Sequence, residues 1–505
     1  MNARHRPWLL ATVAGLLGVL GLGVLAYVQQ LASGDVATAM RTVGAGGAVW
    51  GLYVAMDGFF LGAGVALMAS ACIVRFSRDR ELEAVARIAM PTALVGFLAA
   101  ALSVLADQGR PLAALADLSR YARPQSPMFA TFTTVGAICL FGSLVHCVLA
   151  RRPDLAEYAK QSSFWQPFQR LLAAGYRGTP AQRQRRQRVG FWMSLFMLPA
   201  LAVPLAALAI MFTVRPGRPV SLAVAEAIAF ALTSGAGGLG LLVVAAALVG
   251  ALAGRPAGLG SRGFARLGRG LLLVDALALL AVVAAEIVGL KSGDESAAAC
   301  ARALLGEAYG HLFWSELGLF FLASLLLWQA GRRRGLRARV VVVAGLLATV
   351  AVFLQRYLSL VAWQTHGLPL PYRPGSYAPA WIEIEVVAGI VALGLLLLLP
   401  SVRLIPFAPL VYDEQPVAGG AREVRRALFT WLWLCAGLGL ALASLGFSLR
   451  MGTEPYLDPV VFASPVGFIA GLMMLATAGA VYELLPGGPD VAQSPAGAPN
   501  GLNQP

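Results

Sequence analysis

The chain has 505 residues, of which 58% are hydrophobic and only 13% are charged. Soluble domains carry about 25% charged residues and could not hide this much apolar surface from water, so the mean hydropathy of +0.72 predicts a protein embedded in a bilayer. The net charge of +14 does not indicate nucleic-acid binding, because the basic residues form short clusters between apolar runs, as orientation signals do.

Apolar runs of about 20 residues, long enough to cross a bilayer, recur along the whole chain. Backbone groups in lipid must pair within their own segment, and barrel strands would be shorter and alternating, so each run should be a helix. The sequence therefore predicts an all-α integral membrane protein with about twelve transmembrane helices. The predicted helices cover residues 8–28, 48–74, 86–106, 129–150, 189–214, 222–252, 270–290, 308–329, 340–362, 378–400, 427–449 and 464–485.

The arginines predict the orientation of these helices. Alternate loops are rich in basic residues, and such loops stay in the cytoplasm. We therefore expect a multi-pass protein of the inner (plasma) membrane with both termini cytoplasmic. The basic loops contain Arg75, Arg78 and Arg80, then residues 151–188, 255–269, 332–339 and 403–426.

The largest basic loop, residues 151–188, interleaves eight arginines and Lys160 with aromatic residues such as Trp165 and Phe168. This pattern predicts a short amphipathic helix that lies on the anionic inner leaflet, with membrane lipid as its partner. The glycine-rich stretch Ser234–Gly240 falls within a predicted helix, where close helix packing is its expected role.

Ionisable residues inside the predicted helices cost several kcal/mol unless they are satisfied, which makes each of them a functional candidate. Pairing between helices, or a position near the headgroups, is the structural alternative for each one. By the predicted topology most lie in the outer half of the membrane. They are Asp57, Glu226, Asp275, Glu286, Glu307, His311, Glu316, Arg356, Glu383 and Glu385.

The sequence predicts no redox centre in this chain. The five cysteines include no CxxC pair, so buried small hydrophobes are expected instead of an iron–sulfur cluster. His146 and His311 lie at different predicted depths and cannot clamp one haem, which leaves a His311/His366 pair as the alternative. The residues by themselves allow a transporter, or a subunit that passes protons or binds a lipid-soluble substrate.

Five segments between residues 50 and 400 add a family resemblance. They are Trp50-Gly51-Leu52-Tyr53, Asp107-Gln108-Gly109-Arg110-Pro111, Ser126-Pro127-Met128, Gly306-Glu307 with Leu312-Phe313-Trp314, and Tyr377-Ala378-Pro379-Ala380-Trp381-Ile382-Glu383-Ile384. In this order they resemble the WGLY, D-x-G-R-P, SPM, GE…LFW and Y-x-P-[SA]-W-x-E-I elements of the NrfD-like, or polysulfide reductase, family of membrane subunits, in its hydrogenase-type branch.

The resemblance implies an organisation and a function. Residues 1–47 would form an N-terminal helix and outer loop, 48–400 an NrfD-like quinone-interacting core, 401–485 an additional helix pair, and 486–505 a disordered tail. Such a subunit exchanges electrons between the quinone pool and an extracytoplasmic iron–sulfur partner, which serves a catalytic subunit. Menaquinone or ubiquinone is the bound substrate, and the chain itself holds no haem or iron–sulfur cluster.

The resemblance also implies a quinone site near the outer face. Reducing a quinone requires protons as well as electrons, so the site needs hydrogen-bond donors and proton carriers. His311 is the candidate donor, Asp107 and Glu307 are candidate proton carriers, and Arg110 either pairs with Asp107 or faces the partner subunit. The predicted quinone-binding residues are Asp107, Arg110, Ser126, Met128, Glu307 and His311.

We expect a proton path from the inner side to supply this site. Its predicted residues are Asp57, Glu226, Asp275, Glu286 and Glu383. This path either translocates protons or only feeds the quinone site. Three alternatives to a quinone-reactive subunit remain, and the first is a non-catalytic membrane anchor. The stretch Met56–Gly62 also resembles one helix of cytochrome bd subunit II, and twelve helices would suit a secondary transporter. The basic loop after the fourth helix and the lack of two-half symmetry disfavour a transporter.

Overall fold

In the computed structural model, the described residues form helices and connecting turns. Each of the twelve predicted runs corresponds to one long helix, so the predicted fold class is confirmed. The structure describes residues 6–41, 48–76, 80–116, 135–160, 165–213, 218–253, 261–306, 308–333, 337–366, 375–404, 421–450 and 459–484. The long helices are α1 Arg6–Ser33, α2 Leu52–Val74, α3 Arg80–Asp107, α4 Val135–Tyr158, α5 Pro180–Thr213, α6 Val220–Ala253, α7 Ser261–Lys291, α8 Gly310–Arg333, α9 Ala338–His366, α10 Trp381–Leu404, α11 Ala421–Arg450 and α12 Pro459–Leu484.

Helices α1–α10 are long and apolar enough to cross a membrane, and α11 and α12 contain shorter apolar stretches, Arg426–Leu442 and Phe468–Leu484. Their outer surface is apolar as well: Leu10, Leu22 and Leu25 of α1 are each at least 60% exposed. A water-soluble protein rarely displays so much apolar surface, so this surface faces lipid.

Helices α2, α6 and α9 pack on one another at the centre of the bundle. Helix α1 packs against α10, and α12 packs against α4 and α5 as well as α11. The additional C-terminal pair is therefore attached to the rest of the bundle mainly through α12.

Contacts between helix termini show that the helices alternate in direction. At one end, the Gln364 side chain near the end of α9 donates to the Trp50 carbonyl oxygen just before α2, at 2.9 Å. At the other end, Arg186 near the start of α5 donates to the Ala150 carbonyl oxygen in α4, at 3.4 Å. We call this second end, where Arg75, Arg152 and Arg186 lie, the basic end, and the first the opposite end.

A short helix, Gln166–Ala173, lies at the basic end and confirms the amphipathic helix that the sequence predicts. Gln169 and Ala173 face the protein, whereas Trp165 and Phe168 are more than half exposed. Its contact with a lipid surface stays a prediction.

Arg152 anchors this short helix to the bundle. Its guanidinium donates to the carbonyl oxygens of Ala173 and Ala174, at 3.1 and 2.9 Å, and forms an ion pair with Glu483 of α12. Both members of the ion pair are almost fully buried. Breaking a buried pair by removing one partner is strongly destabilising, so Arg152 joins α4, the short helix and the last helix.

The predicted packing role of the stretch Ser234–Gly240 is confirmed. A Cβ atom added at Gly240 would lie 2.6 Å from the Gly345 carbonyl oxygen of α9, and one added at Gly238 would lie 2.9 Å from the Ala63 carbonyl oxygen of α2. Only glycine permits these backbones to approach so closely. The stretch thereby brings α6 against α2 and α9 at the centre of the bundle.

This packing predicts that Gly240→Ala lowers stability by about 1–3 kcal/mol, the usual cost of overpacking. Gly318→Ala in α8 is the matched control, because a Cβ there has nothing within 4 Å. The measurement is the thermal unfolding midpoint of the protein purified in detergent. Equal midpoints for the two variants would contradict the packing role.

Candidate functional site

The candidate site lies at the opposite end, where α1, α2 and α3 meet. Asp107 is the last residue of α3 and is only 6% exposed. Its carboxylate lies 3.8 Å from the guanidinium of Arg41, which is one-third exposed. A carboxylate at a helix C-terminus is disfavoured by the helix dipole, and the nearby guanidinium offsets this cost.

Gln30 of α1 and two residues of α2, Tyr53 and Asp57, lie beside Arg41 and Asp107. We call these five residues the Asp107 cluster. Tyr53 is fully buried and donates through its hydroxyl to Gln30 Oε1, at 2.6 Å. Gln30 in turn donates to the Ala106 carbonyl oxygen, at 3.0 Å, and so links α1 to α3. Asp57 is also buried, and it lies close enough to Asp107 for the two charges to interact.

Glu383, in the first turn of α10, lies at the same end. Its Oε1 accepts from the Tyr377 hydroxyl at 2.8 Å, and its Oε2 accepts from the backbone amides of Ala380 and Ala39 at 2.7 and 3.5 Å. An acidic residue is favourable there, because the first amides of a helix lack partners within it. Glu383 thus fastens the start of α10 to the segment after α1.

Tyr377 extends these bonds to α2 and α9. Its hydroxyl accepts from the Leu52 amide at 2.9 Å, and its carbonyl oxygen accepts from the Tyr357 hydroxyl at 2.8 Å. Burial, together with the Glu383 carboxylate, raises the pKa of the Tyr377 hydroxyl above its ordinary value. Tyr377 therefore stays a neutral hydrogen-bond donor at physiological pH.

The Tyr377 amide donates to the Tyr309 hydroxyl at 3.0 Å. The Tyr309 hydroxyl in turn lies 3.2 Å from the Thr365 hydroxyl. Thr365 Oγ1 is 2.8 Å from His366 Nδ1. Burial also raises the pKa of Tyr309. We call Tyr309, Tyr357, Thr365, Tyr377 and Glu383 the Glu383 network; it is a continuous set of polar contacts from α10 to the end of α9.

A second arrangement at this end is a small cavity, open at its mouth, between α6, α7, α8, α9 and the helix Glu295–Leu305. Glu226, Glu286 and Glu316 line it, and we call it the acidic cavity. Arg218 pairs with Glu226, and its guanidinium carbon lies 4.5 Å from the centre of the Trp363 ring. Most of the other lining residues are apolar, so the cavity places a few carboxylates in an otherwise hydrophobic lining.

Arg356 lies behind the wall of the acidic cavity and has no solvent exposure. Its guanidinium donates to the Phe230 carbonyl oxygen at 2.8 Å, to the Ser234 hydroxyl at 2.7 Å and to Gln355 Oε1 at 2.5 Å. Gln355 itself lines the cavity. Glu316, 1% exposed, lies close enough to Arg356 to interact with it electrostatically.

Asp275 stands apart from these groups. It is fully buried in α7, where one carboxylate oxygen accepts from the Ser324 hydroxyl of α8 at 2.7 Å. It lies about three helical turns from Glu286 on the same helix. A direct proton transfer between the two would therefore need intervening groups or water.

The predicted quinone-binding residues do not all converge among the described residues. Asp107 is buried in its cluster, Arg110 is exposed, and His311 is exposed and does not line the acidic cavity. The predicted residues Ser126, Met128 and Glu307 lie outside the described residues.

The predicted proton-path residues fall into separate places. Glu226 and Glu286 share the acidic cavity, Asp57 lies beside Asp107, Glu383 bonds to Tyr377, and Asp275 is alone in the middle of α7.

Sequence reasoning did not assign several residues that the structure brings into these groups. Glu316 and Arg356 stood among the intramembrane charges, and Tyr377 opened a family-like element, so each carried a signal. Gln30 and Arg41 carried none, because their partners lie on other helices, and Arg218 carried none, because it lies just before a helix and not within an apolar run.

Comparisons with known proteins agree with this architecture. The family described as polysulphide reductase, NrfD, matches residues 42–366. A curated protein of Halobacterium salinarum (strain ATCC 700922 / JCM 11081 / NRC-1), named as a putative membrane subunit of dimethyl sulfoxide reductase, is 27% identical over 447 residues, which cover 82% of this chain and 94% of the relative. The family match spans more than half of the chain, and the chain therefore belongs to the NrfD, or polysulphide reductase, family of multi-pass membrane proteins.

Proposed function

We propose that this chain is the quinone-interacting membrane subunit of a respiratory oxidoreductase complex. In this proposal it exchanges electrons between the quinone pool and an extracytoplasmic iron–sulfur partner, which connects it to a catalytic subunit. Family membership supports the proposal, as does the relative named as the membrane subunit of a reductase. The bound substrate is menaquinone or ubiquinone, and the membrane is the inner (plasma) membrane.

The observation that carries the proposal is the Asp107 cluster. It holds two buried carboxylates and a buried phenol at one end of the bundle, within membrane-spanning helices. Converting a quinone to a quinol consumes two electrons and two protons, so a quinone site needs proton carriers beside neutral hydrogen-bond donors. Asp107 and Asp57 are the proposed carriers, and Tyr53 is the proposed donor.

The acidic cavity is the proposed proton reservoir of this site. Glu226 Oε2 and Glu316 Oε1 are buried and have no hydrogen-bond partner among the described residues. Buried polar atoms of this kind are normally satisfied by water, and the cavity has the volume and polar groups to hold several water molecules. Water and carboxylates in alternation provide a path for protons through an apolar wall.

The Asp107 assignment predicts that Asp107→Asn lowers quinone turnover of the assembled complex by roughly 100-fold, the usual contribution of an acid–base group. Asparagine keeps the size of the side chain but cannot carry the proton. Glu295→Gln, an exposed carboxylate at the same end, is the control and should keep full turnover. The assay is quinol oxidation or quinone reduction by the purified complex, with its polypeptides checked on a gel. Full turnover in an intact Asp107→Asn complex would remove this residue from the site.

The reservoir assignment predicts a different kinetic pattern for Glu316→Gln and Glu286→Gln. Both variants should lower kcat at least about tenfold, because proton delivery slows, while KM for the quinone stays unchanged because the quinone-binding groups remain. Steady-state assays over a range of quinone concentrations separate the two constants. A raised KM with unchanged kcat would show that the cavity binds the quinone instead.

Membership of a complex is tested by purification. An affinity tag on this chain should retain an iron–sulfur protein, detected by mass spectrometry and by the visible absorption of its clusters. A chain that purifies alone and binds a polar solute would instead support the secondary transporter.

A further inference from the structure

A second, small polar cavity lies at the basic end, between the end of α2 and helices α4, α5 and α12. Its lining includes Arg75, His146, Arg186, Gly190 and Glu483. Because Arg75 immediately follows α2, the cavity sits where the helices leave the apolar layer. We call it the His146 cavity.

His146 is a buried residue whose hydrogen-bonding groups lack partners in the described protein. Its side chain is nearly inaccessible, at 2% exposure, and neither ring nitrogen has a hydrogen-bond partner among the described residues. Burying an imidazole without partners costs free energy, and such groups are rarely left unsatisfied. A ligand with hydrogen-bonding oxygens in the cavity would satisfy it.

The charges around the cavity favour an anion. Arg75 and Arg186 both line it, and Glu483, the one acidic group among its described lining residues, is already paired with Arg152. Among the described residues that line the cavity, two arginines therefore accompany one carboxylate. Guanidinium groups bind phosphate oxygens through charge-assisted hydrogen bonds.

Gly190 allows Arg75 to lie against α5. A Cβ atom at position 190 would be 2.5 Å from Nη2 of Arg75 and 3.0 Å from its Nε. The guanidinium therefore rests directly on the α5 backbone at the edge of the cavity. This contact holds the positive charge of Arg75 at the mouth of the cavity, where a lipid headgroup would enter.

Exposed aromatic residues lie next to the cavity on the surface that faces lipid. Phe76 and Phe191 pack edge to face with their ring centres 5.3 Å apart, and Trp192 beside them is 54% exposed. Aromatic side chains of this kind gather at the boundary between the acyl chains and the headgroups. Acyl chains of a lipid would lie along these rings while its headgroup enters the cavity.

We propose that the His146 cavity binds the phosphate group of an anionic phospholipid, with Arg75, Arg186 and His146 as donors to the phosphate oxygens. The lipid fits because basic pockets between membrane helices at the headgroup level suit phosphate chemistry. It also joins α12 to α2, α4 and α5, since each of these helices contributes to the cavity wall. Free inorganic phosphate shares the chemistry, and the experiment separates the two sources.

The test uses the purified full-length protein with whatever partner proteins accompany it. After delipidation, phosphatidylglycerol in mixed micelles and inorganic phosphate are added separately, and binding is followed by the rise in thermal unfolding midpoint and by mass spectrometry of retained lipid. Wild-type protein should bind phosphatidylglycerol, and His146→Phe and Arg186→Gln should each bind it about tenfold more weakly, as expected for the loss of one charge-assisted or buried hydrogen bond.

Arg177→Gln is the matched control, because it removes an exposed arginine from the same end outside the cavity. It should bind the lipid as the wild type does. A response to inorganic phosphate alone that is lost in the two cavity variants would also support the phosphate site and assign it to a free anion. No response to either compound, or equal responses in the cavity variants and the wild type, would overturn the proposal. Arg186 is partly exposed, so Arg186→Gln keeps the test usable if His146→Phe does not fold.

Discussion

A charge inside hydrocarbon must find compensation within the protein, and this constraint organises the whole bundle. Arg356 is the strictest case, because it has no exposure and yet lies in the middle of an apolar helix. Three acceptors from α6 and α9 hold it, and Glu316 of α8 lies close enough to interact with it electrostatically. Helices α6 and α9 must therefore stay in register around one guanidinium, because a displacement would leave a buried charge without its hydrogen-bond acceptors.

The same constraint explains why the Asp107 cluster and the acidic cavity lie at one end of the bundle. Polar groups are cheapest where helices begin and end, since backbone amides and carbonyls are available there. Helix α9 contributes to two polar environments at this end, the acidic cavity and the Glu383 network. Gln355 and Ser359 line the acidic cavity, whereas Tyr357 and Thr365 belong to the Glu383 network. A rotation of this helix would therefore change both environments together.

Sequence reasoning predicts the helices well, because a run of apolar residues has few alternatives in lipid. It also predicts the packing role of the Gly240 region and the amphipathic helix Gln166–Ala173. It predicts the places of the charges less well. Glu383 and Asp57 were expected to belong to one path, but Glu383 bonds to Tyr377 while Asp57 lies near Asp107. Contacts between distant segments decide these places, such as the bond between the Ala39 amide and Glu383 across 344 residues, and neither periodicity nor spacing encodes them.

The crossing of α1 and α10 also bears on how such proteins diverge. Gly23 and Gly389 bring the two backbones so close that a Cβ at position 23 would lie 2.7 Å from the Gly389 Cα. Both helices lie outside residues 42–366, the part that matches the family. Yet α1 supplies Gln30 to the Asp107 cluster, and α10 supplies Glu383 to the network that bears its name. A substitution at this crossing that separated α1 from α10 would therefore disturb both polar groups without a change to any residue between 42 and 366.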